Sequence, residues 1–439
     1  MSKTNQKQLT GGLSQLLTQK VSIVGTDPQL LGLVVVGGGA AGFFGAITAA
    51  ESRPDLKILL LEKGPNVLSK VRISGGGRCN VTHSCFDPSE LVTHYPRGSR
   101  ELLGPFHRWQ PADTVQWFQE KGVPLKTESD GRMFPVSDQS SSIVDCLLNA
   151  SIKAGVRIQT RQEVTKIQPL EENGFLVHTS GENSYKCRQI LWTAGGIKPG
   201  KQTKIIGELG HPIIDPIPSL FTFEIKDSLL KGLQGLSVDN AESHLIGTDI
   251  RCHGPLLITH WGLSGPAILR LSAWAAREIH AMPGPFEVEI NWIPSIENPL
   301  ESLMKFRDSQ FKKQVGNSPA FQIPKRLWQR LMTILGTPPN LTWSALKKHQ
   351  LNQLCEMLTR TRFKVSGKSR NKEEFVTCGG VDLKEVRFKT MESRKTKGLY
   401  FAGEALDIDA ETGGFNFQAA WTTGYLAGSA IAAAYNNTK

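Results

Sequence analysis

The 439-residue chain predicts an α/β fold: a doubly wound parallel sheet assembled from both chain ends and interrupted by an insert of roughly 175 residues. Three observations carry this prediction. Leu31–Glu51 reads "LGLVVVGGGAAGFFGAITAAE", a short apolar run that breaks at glycines and continues in small residues. Leu56–Gly64, "LKILLLEKG", is a second apolar run that ends in an acid. After Phe375 the texture returns as "KGLYFAGEA" (Lys397–Ala405), followed by a glycine loop and a long small-residue stretch, Phe417–Tyr435.

The first two runs give strand, tight turn, helix and strand, the opening βαβ unit of a parallel sheet. Helical periodicity recurs at Ala112–Lys121 and Gln139–Ala154, the second capped by Ser137 or Asp138. Strands are expected at Val156–Gln159, Glu163–Gln168, Gly174–Thr179 and Tyr185–Trp192, the last running into Thr193-Ala-Gly-Gly196. Beyond Ile197, strand-length segments broken by Pro and Gly over Ile213–Glu289 predict an antiparallel, barrel-like subdomain. Pro299–Lys372 reads as helical and basic. The expected division is a flexible leader (1–29), the sheet domain (30–196), a barrel-like subdomain (197–298), a basic helical subdomain (299–374) and the rest of the sheet domain (375–439).

Composition narrows the function. No run of about 18 apolar residues exists, so a membrane-spanning helix is excluded. The polar N-terminal stretch has no apolar signal or cleavage site, which makes a cytoplasmic protein the expectation. Seven cysteines without a C-x-x-C pair argue against a disulfide framework, a dithiol redox centre and a metal site. The net charge is +11, and its distribution matters more than its size. Between Glu301 and Lys372, 15 Lys/Arg face three acids, while the remaining chain holds 36 basic and 37 acidic residues. The whole excess therefore sits in one segment, which points to an anionic partner. Trp328, Trp343 and Phe363 lie among those charges and read either as base-stacking groups or as core.

Gly37, Gly39 and Gly42 form G-x-G-x-x-G between a strand and a helix, and Glu62 follows 20 residues after Gly42 at a strand end. That context is what a dinucleotide fingerprint requires. Gly37 permits the turn, Gly39 the approach of a pyrophosphate to the helix N-terminus, and Gly42 close packing of helix on strand. Glu62 would accept hydrogen bonds from a ribose. A second glycine-rich element, "YFAGEALDIDAETGGFNFQAA" (Tyr400–Ala420), places Gly403-Glu404 at a strand end and Gly413-Gly414 before a helix. Two such elements at opposite chain ends suit a long, two-headed cofactor, and FAD is the expectation.

The blocks "VVVGGGAAG", "ISGGGRCNVT", "GRMFPVSD", "THWGLSGPAIL", "TCGGVDLKEV" and "TMESRKTKGLYFAGEALDIDAETGGFNFQAAWTTG" resemble bacterial FAD/NAD(P)-dependent flavoproteins of the BaiN/RdsA type, from about Leu33 to Ala432. That group contains a proposed bile-acid-pathway reductase and a ribosomal-RNA dihydrouridine synthase. The resemblance implies a GR2-like FAD-binding domain in which Gly75–Gly77 let the backbone approach the flavin. Arg78 and Asn80 would be polar contacts, and Cys79 packs under the ring, donates a proton beside it or forms a covalent flavin link. It fills out the cofactor-binding set with Ala41, Lys63, Gly76, Gly77, Val164, Ala194, Gly195, Asp407, Phe415 and Asn416. His260, in "THWGLSGPA", is either a structural histidine or a substrate contact and general acid. One departure stands out: after Gly196 the family's Ser-Tyr-Pro and Gly-Ser-Thr-Gly-Asp-Gly run is replaced by "IKPGKQTKIIGELGH".

The expected function is reduction of uridine to dihydrouridine in ribosomal RNA, with Arg362, Lys364, Lys368, Arg370 and Lys372 contacting phosphates. NADH or NADPH would dock transiently as electron donor, since no second dinucleotide fingerprint appears in the insert. The alternatives are a small-molecule reductase or oxidase acting on a steroid-like or amine substrate, and a flavin-bound RNA-binding protein without catalysis.

Overall fold

A computed structural model describes residues 30–171, 173–181, 183–196, 200–368 and 376–436. The expected leader, 1–29, lies outside the described residues. The chain divides into two compact units, one formed by the stretches up to Pro216 and from Gly379 onward, the other by Ile217–Cys378. The segments 197–298 and 299–374, expected as two subdomains, thus contribute mostly to a single unit.

In the first unit a parallel core runs in the order Leu399–Phe401 (β5), Ser184–Trp192 (β4), Leu31–Val36 (β1), Ile58–Leu61 (β2), Arg157–Gln159 (β3). The C-terminal end of the chain thus supplies a neighbour to β4, as the returning strand texture predicts. All six residues of β1 and all four of β2 are buried, the pattern of strands covered on both faces. Antiparallel strands Val164–Pro169 and Phe175–Thr179 extend from β4, forming a meander.

The first helix, Ala40–Ser52 (α1), and the last, Phe415–Asn436 (α2), explain the small-residue composition of both. A Cβ on Gly428 would sit 2.4 Å from the Gly45 carbonyl oxygen, and one on Gly424 would sit 2.8 Å from that of Ala41. Only missing side chains let these two backbones pack so closely.

The second unit holds a seven-stranded sheet in the order Thr361–Val365, Phe286–Asn291, Ser237–Leu245, Arg251–Ile258, Gly262–Ser264, Phe223–Glu224, Gly367–Lys368. Its two outermost strands are consecutive in sequence, separated by Ser366 alone. The sheet therefore closes on itself, which is the barrel-like form expected from the Pro/Gly-broken strands. Helices Pro299–Ser309, Lys325–Ile334 and Lys348–Thr359 share one hydrophobic core with it.

Three local expectations are corrected. Neither Ser137 nor Asp138 caps the helix Ser140–Lys153 with its side chain; Asp138 is held by Lys126 and Arg78 instead. The basic segment is not helical to its end: Thr361–Val365 is a strand, whose alternation buries Phe363 and Val365 and exposes Arg362 and Lys364. Trp328, Trp343 and Phe363 are at most 1% exposed and belong to the core, so they stack on nothing outside the protein.

Candidate functional site

The carboxyl ends of β1, β2 and β4 form one edge, where parallel α/β sheets bind ligands. Gly37 follows β1 with φ 111°, a conformation that side chains disfavour. A Cβ there would lie 2.3 Å from the Thr193 carbonyl oxygen. Thr193, which sequence reasoning passed over, locks this turn by donating its hydroxyl to the carbonyls of Val36 (3.1 Å) and Gly37 (3.0 Å). Gly42 is forced by packing, since its Cβ would meet the Gly37 carbonyl oxygen at 2.1 Å.

Gly39 differs. It is the N-cap of α1, makes no side-chain cap, and an added Cβ would find nothing within 4 Å. The space before an uncapped helix N-terminus suits a phosphate, because first-turn N–H groups lack intrahelical acceptors. Glu62 completes this end. Its carboxylate accepts from the Gly38 amide (2.9 Å) and the Gly64 amide (2.7 Å), which fixes both oxygens while leaving each a lone pair for a ribose hydroxyl. Gly37, Glu62, Lys63, Val164 and Ala194 line one cleft, joined by Trp192, Lys201 and Gln202. The last two begin the helix Lys201–Glu208, so the segment that departs from the family pattern lies beside this cleft.

A second cluster forms around the glycine loop. Ser69–Gly77 starts as helix and breaks at Ser74, after which Gly75, Gly76 and Gly77 take φ values of 56°, 68° and 85°. Gly76 and Gly77 are exposed, with nothing within 4 Å of an added Cβ. Asn80, with its carboxamide oxygen toward Gly414, accepts from that amide at 2.9 Å and donates to the carbonyls of Met133 (3.2 Å) and Thr82 (3.0 Å). It therefore ties the loop to the approach to α2. Arg78 is engaged locally: it bonds Glu128 at 2.6 Å and lies 4.0 Å over the Phe134 ring, and the Glu128 contact raises its pKa. Cys79 is fully buried with φ 63°, and burial pushes its thiol up to about 12.

The C-terminal element converges on the same edge. Gly403 follows β5, with Ala41 2.8 Å from its would-be Cβ. Glu404 pairs with Lys70 at 2.6 Å and lies 3.9 Å from the Cβ position of Gly195. Asp407 is buried, and its amide donates to Val381. Asn416 is turned back on its own loop, accepting from the Ala410 amide at 3.0 Å. Phe415 is buried against two imidazoles absent from the expected set, His94 (ring centroids 4.1 Å apart) and His83 (4.7 Å). Gly413 and Gly414 precede it with φ values of 138° and 94°.

In the second unit, His260 is exposed in the turn between Arg251–Ile258 and Gly262–Ser264. Trp261 beside it is 57% exposed, an outlier for a residue of its size. Of the expected phosphate contacts, Arg362 and Lys364 are exposed on the outer face of one strand, and Arg362 pairs with Glu289 at 3.1 Å. Lys368 ends the described stretch 200–368, and Arg370 and Lys372 lie outside the described residues. Among the described residues there is no cluster of three metal-ligating side chains and no helix long and apolar enough to cross a membrane.

These features fit FAD: open space at Gly39, Gly76 and Gly77, an anchored carboxylate for a ribose, and glycine-rich elements from both chain ends on one unit. The family model described as HI0933-like protein Rossmann domain matches residues 31–430. The ribosomal RNA dihydrouridine synthase of Escherichia coli (strain K12) is 31% identical over 411 residues, covering 91% of this chain and 98% of that protein. The 3-dehydro-bile acid delta(4,6)-reductase of Clostridium scindens is 28% identical over 413 residues, with the same coverage of 91% and 98%. Among solved structures, a 3-ketosteroid-delta4-(5alpha)-dehydrogenase from Rhodococcus jostii RHA1 has a similar fold, with a TM-score of 0.51 and 13% identity over 94% of this chain and 99% of that one. The open conformation of a flavocytochrome c3 fumarate reductase gives 0.50 and 15% over 98% and 81%. The chain belongs to the HI0933-like family, of Rossmann-type FAD-dependent oxidoreductases.

Proposed function

We propose that this protein saturates the C5–C6 double bond of uridine in ribosomal RNA, giving dihydrouridine. The relatives from E. coli and Haemophilus influenzae, 31% and 29% identical, carry that activity in their names. The bile-acid relative is named for a different substrate but a related change: two hydrogens are added across a double bond polarised by a carbonyl. One observation favours RNA. Ten of the twelve Lys/Arg between Lys305 and Lys364 are exposed, so the basic excess is a surface property available to phosphates. Among the described residues, Lys313, Lys325, Lys347, Lys348, Arg360 and Lys364 have no carboxylate partner.

In this reading Glu62 holds the ribose, Gly39 and the first turn of α1 the pyrophosphate, and Gly75–Gly77 the flavin side. FAD held there would supply hydride chemistry, with NADH or NADPH as the proposed source of the electrons. The proton that completes saturation needs a donor from the chain, and Cys79 and His260 are the candidates. Burial pushes the Cys79 thiol up to about 12, so it stays protonated at neutral pH and is no thiolate nucleophile, and its full burial favours the packing role over proton donation. His260 keeps an accessible imidazole.

The test is mass mapping of ribosomal RNA from cells with and without the protein. A uridine gaining two hydrogens only when the protein is present is the expected result. RNA that is identical in both, together with turnover of a conjugated steroid ketone by the purified protein, would transfer the function to the small-molecule class.

A further inference from the structure

Trp192 ends β4 and lines the cleft with Gly37, Glu62, Val164 and Ala194. Its side chain is 1% exposed, and its indole N–H is buried with no hydrogen-bond partner. Other buried indoles are satisfied: Trp421 donates to Val81 at 2.9 Å, Trp328 to Val315 at 2.7 Å and Trp292 to Thr361 at 2.8 Å. Trp343 shares the deficit, but it packs against Phe306 and Trp328 in an apolar core. Buried donors are seldom left unmet, because the water they give up is not replaced. An unmet donor at a ligand cleft marks a place where the ligand brings the acceptor.

We propose that the Trp192 indole N–H reads the adenine base of FAD. The proposal rests on the FAD assignment and adds a residue that no fingerprint contains. With the pyrophosphate at the N-terminus of α1 and the ribose at Glu62, the base would extend beyond the ribose within the cleft that Val164, Ala194 and Trp192 also line. A lone N–H donor complements a purine ring nitrogen, which presents an in-plane lone pair. It is mismatched to the exocyclic amine, which also donates. Lys201 and Gln202 line the same cleft, and Lys201 is held by Glu163 at 3.2 Å. The cleft is therefore built in part from the segment in which this chain departs from its family.

The experiment compares full-length wild-type protein and Trp192→Phe, both stripped of flavin, in binding FAD and ADP. Phenylalanine keeps an apolar ring and removes the donor. Loss of one neutral hydrogen bond should weaken both ligands by about tenfold and to a similar degree, since ADP carries the adenosine end alone. A deaza series of ADP probes the same bond without touching the fold. Wild type should lose about tenfold against one of the 1-, 3- and 7-deaza analogues, and Trp192→Phe should be indifferent to that analogue. Equal affinity of both proteins for ADP, or deaza losses that persist in Trp192→Phe, would overturn the proposal. A wild type that binds neither FAD nor ADP would overturn the cofactor placement and the proposal with it.

Discussion

The two units carry their chemistry in different ways. In the first, function is written into backbone space, and each glycine of the fingerprint has a separate reason to be glycine. Gly42 has none of the room a Cβ needs, with the Gly37 carbonyl oxygen 2.1 Å away, whereas Gly39 has nothing within 4 Å. The first is filled by the protein and the second is open, where the proposed pyrophosphate would lie. In the second unit, the chemistry lies in side chains on a closed sheet and its helices, where backbone space says little. Local motifs can therefore announce a cofactor, but a surface is announced only by composition.

The sharpest way to test that contrast is inside the fingerprint, where the largest effects are expected. Gly42→Val should destabilise the protein by roughly 4 kcal/mol or more, because backbone must move to admit the side chain. The melting temperature should fall by roughly 5 °C or more, or the protein should become insoluble. Gly39→Val should do the opposite: the stripped protein melts within about 3 °C of wild type, and bound flavin is lost. If Gly39→Val purifies fully loaded with FAD, the pyrophosphate lies elsewhere. A well-folded Gly42→Val would remove the distinction altogether.

This difference also explains what was legible from sequence. The strand–glycine–helix unit, Glu62 and the returning C-terminal strand were readable because residues close in sequence carry the geometry. Thr193, which locks the Gly37 turn from 156 positions away, was not readable, because its role is a pairing between strands. His83 and His94 were hidden for the same reason: they reach Phe415 only once β5 and α2 are placed. In the second unit, composition located the basic excess, but the residue pattern did not show where helix gives way to strand. "TRFKV" alternates as a strand should, yet it follows three helices and was read as their continuation. Tertiary pairing with Phe286–Asn291 decides it.

The second unit's side of the comparison rests on charge. Replacing Arg360, Arg362 and Lys364 with Gln should weaken RNA binding at physiological salt by about 10²-fold and reduce the log–log salt slope by up to about 2, roughly 0.7 for each phosphate released. The flavin spectrum should not change, since these residues lie in the unit without the fingerprint. Unchanged affinity and slope would make the basic segment a solvated face. The exposed Trp261 adds a smaller, uncharged effect. Trp261→Ala should cost about tenfold in affinity by removing one base-stacking surface, and it should leave the salt slope as it was. A slope that changed with Trp261 would mean that the ring orders charged groups and does not itself contact a base.

The smallest expected effect returns to the first unit, at the one loop residue whose side chain is wholly interior. Cys79 is protonated in the folded protein because burial raises its thiol from 9.0 to about 12. Below pH 9 both folded and unfolded chains hold the proton, and the thiol contributes no pH dependence. Between pH 9 and about 12 the unfolded chain releases it while the folded chain does not, so stability falls with rising pH by about 1.4 kcal/mol per unit. Cys79→Ala removes that share while costing about 1 kcal/mol in lost packing. The variant should therefore be less stable than wild type at pH 8, and the gap should close or slightly reverse by pH 10, as measured by denaturant unfolding of the flavin-loaded protein. Cys85 and Cys146, each pushed up to about 11, remain in both proteins and cancel in the difference. A gap that stays constant from pH 8 to pH 10, with rapid thiol labelling of native protein at pH 8, would show that Cys79 is reached by solvent. The glycine loop would then be an open surface, and the claim that this unit keeps its side chains inside and offers its backbone to the ligand would fail at its most exposed turn.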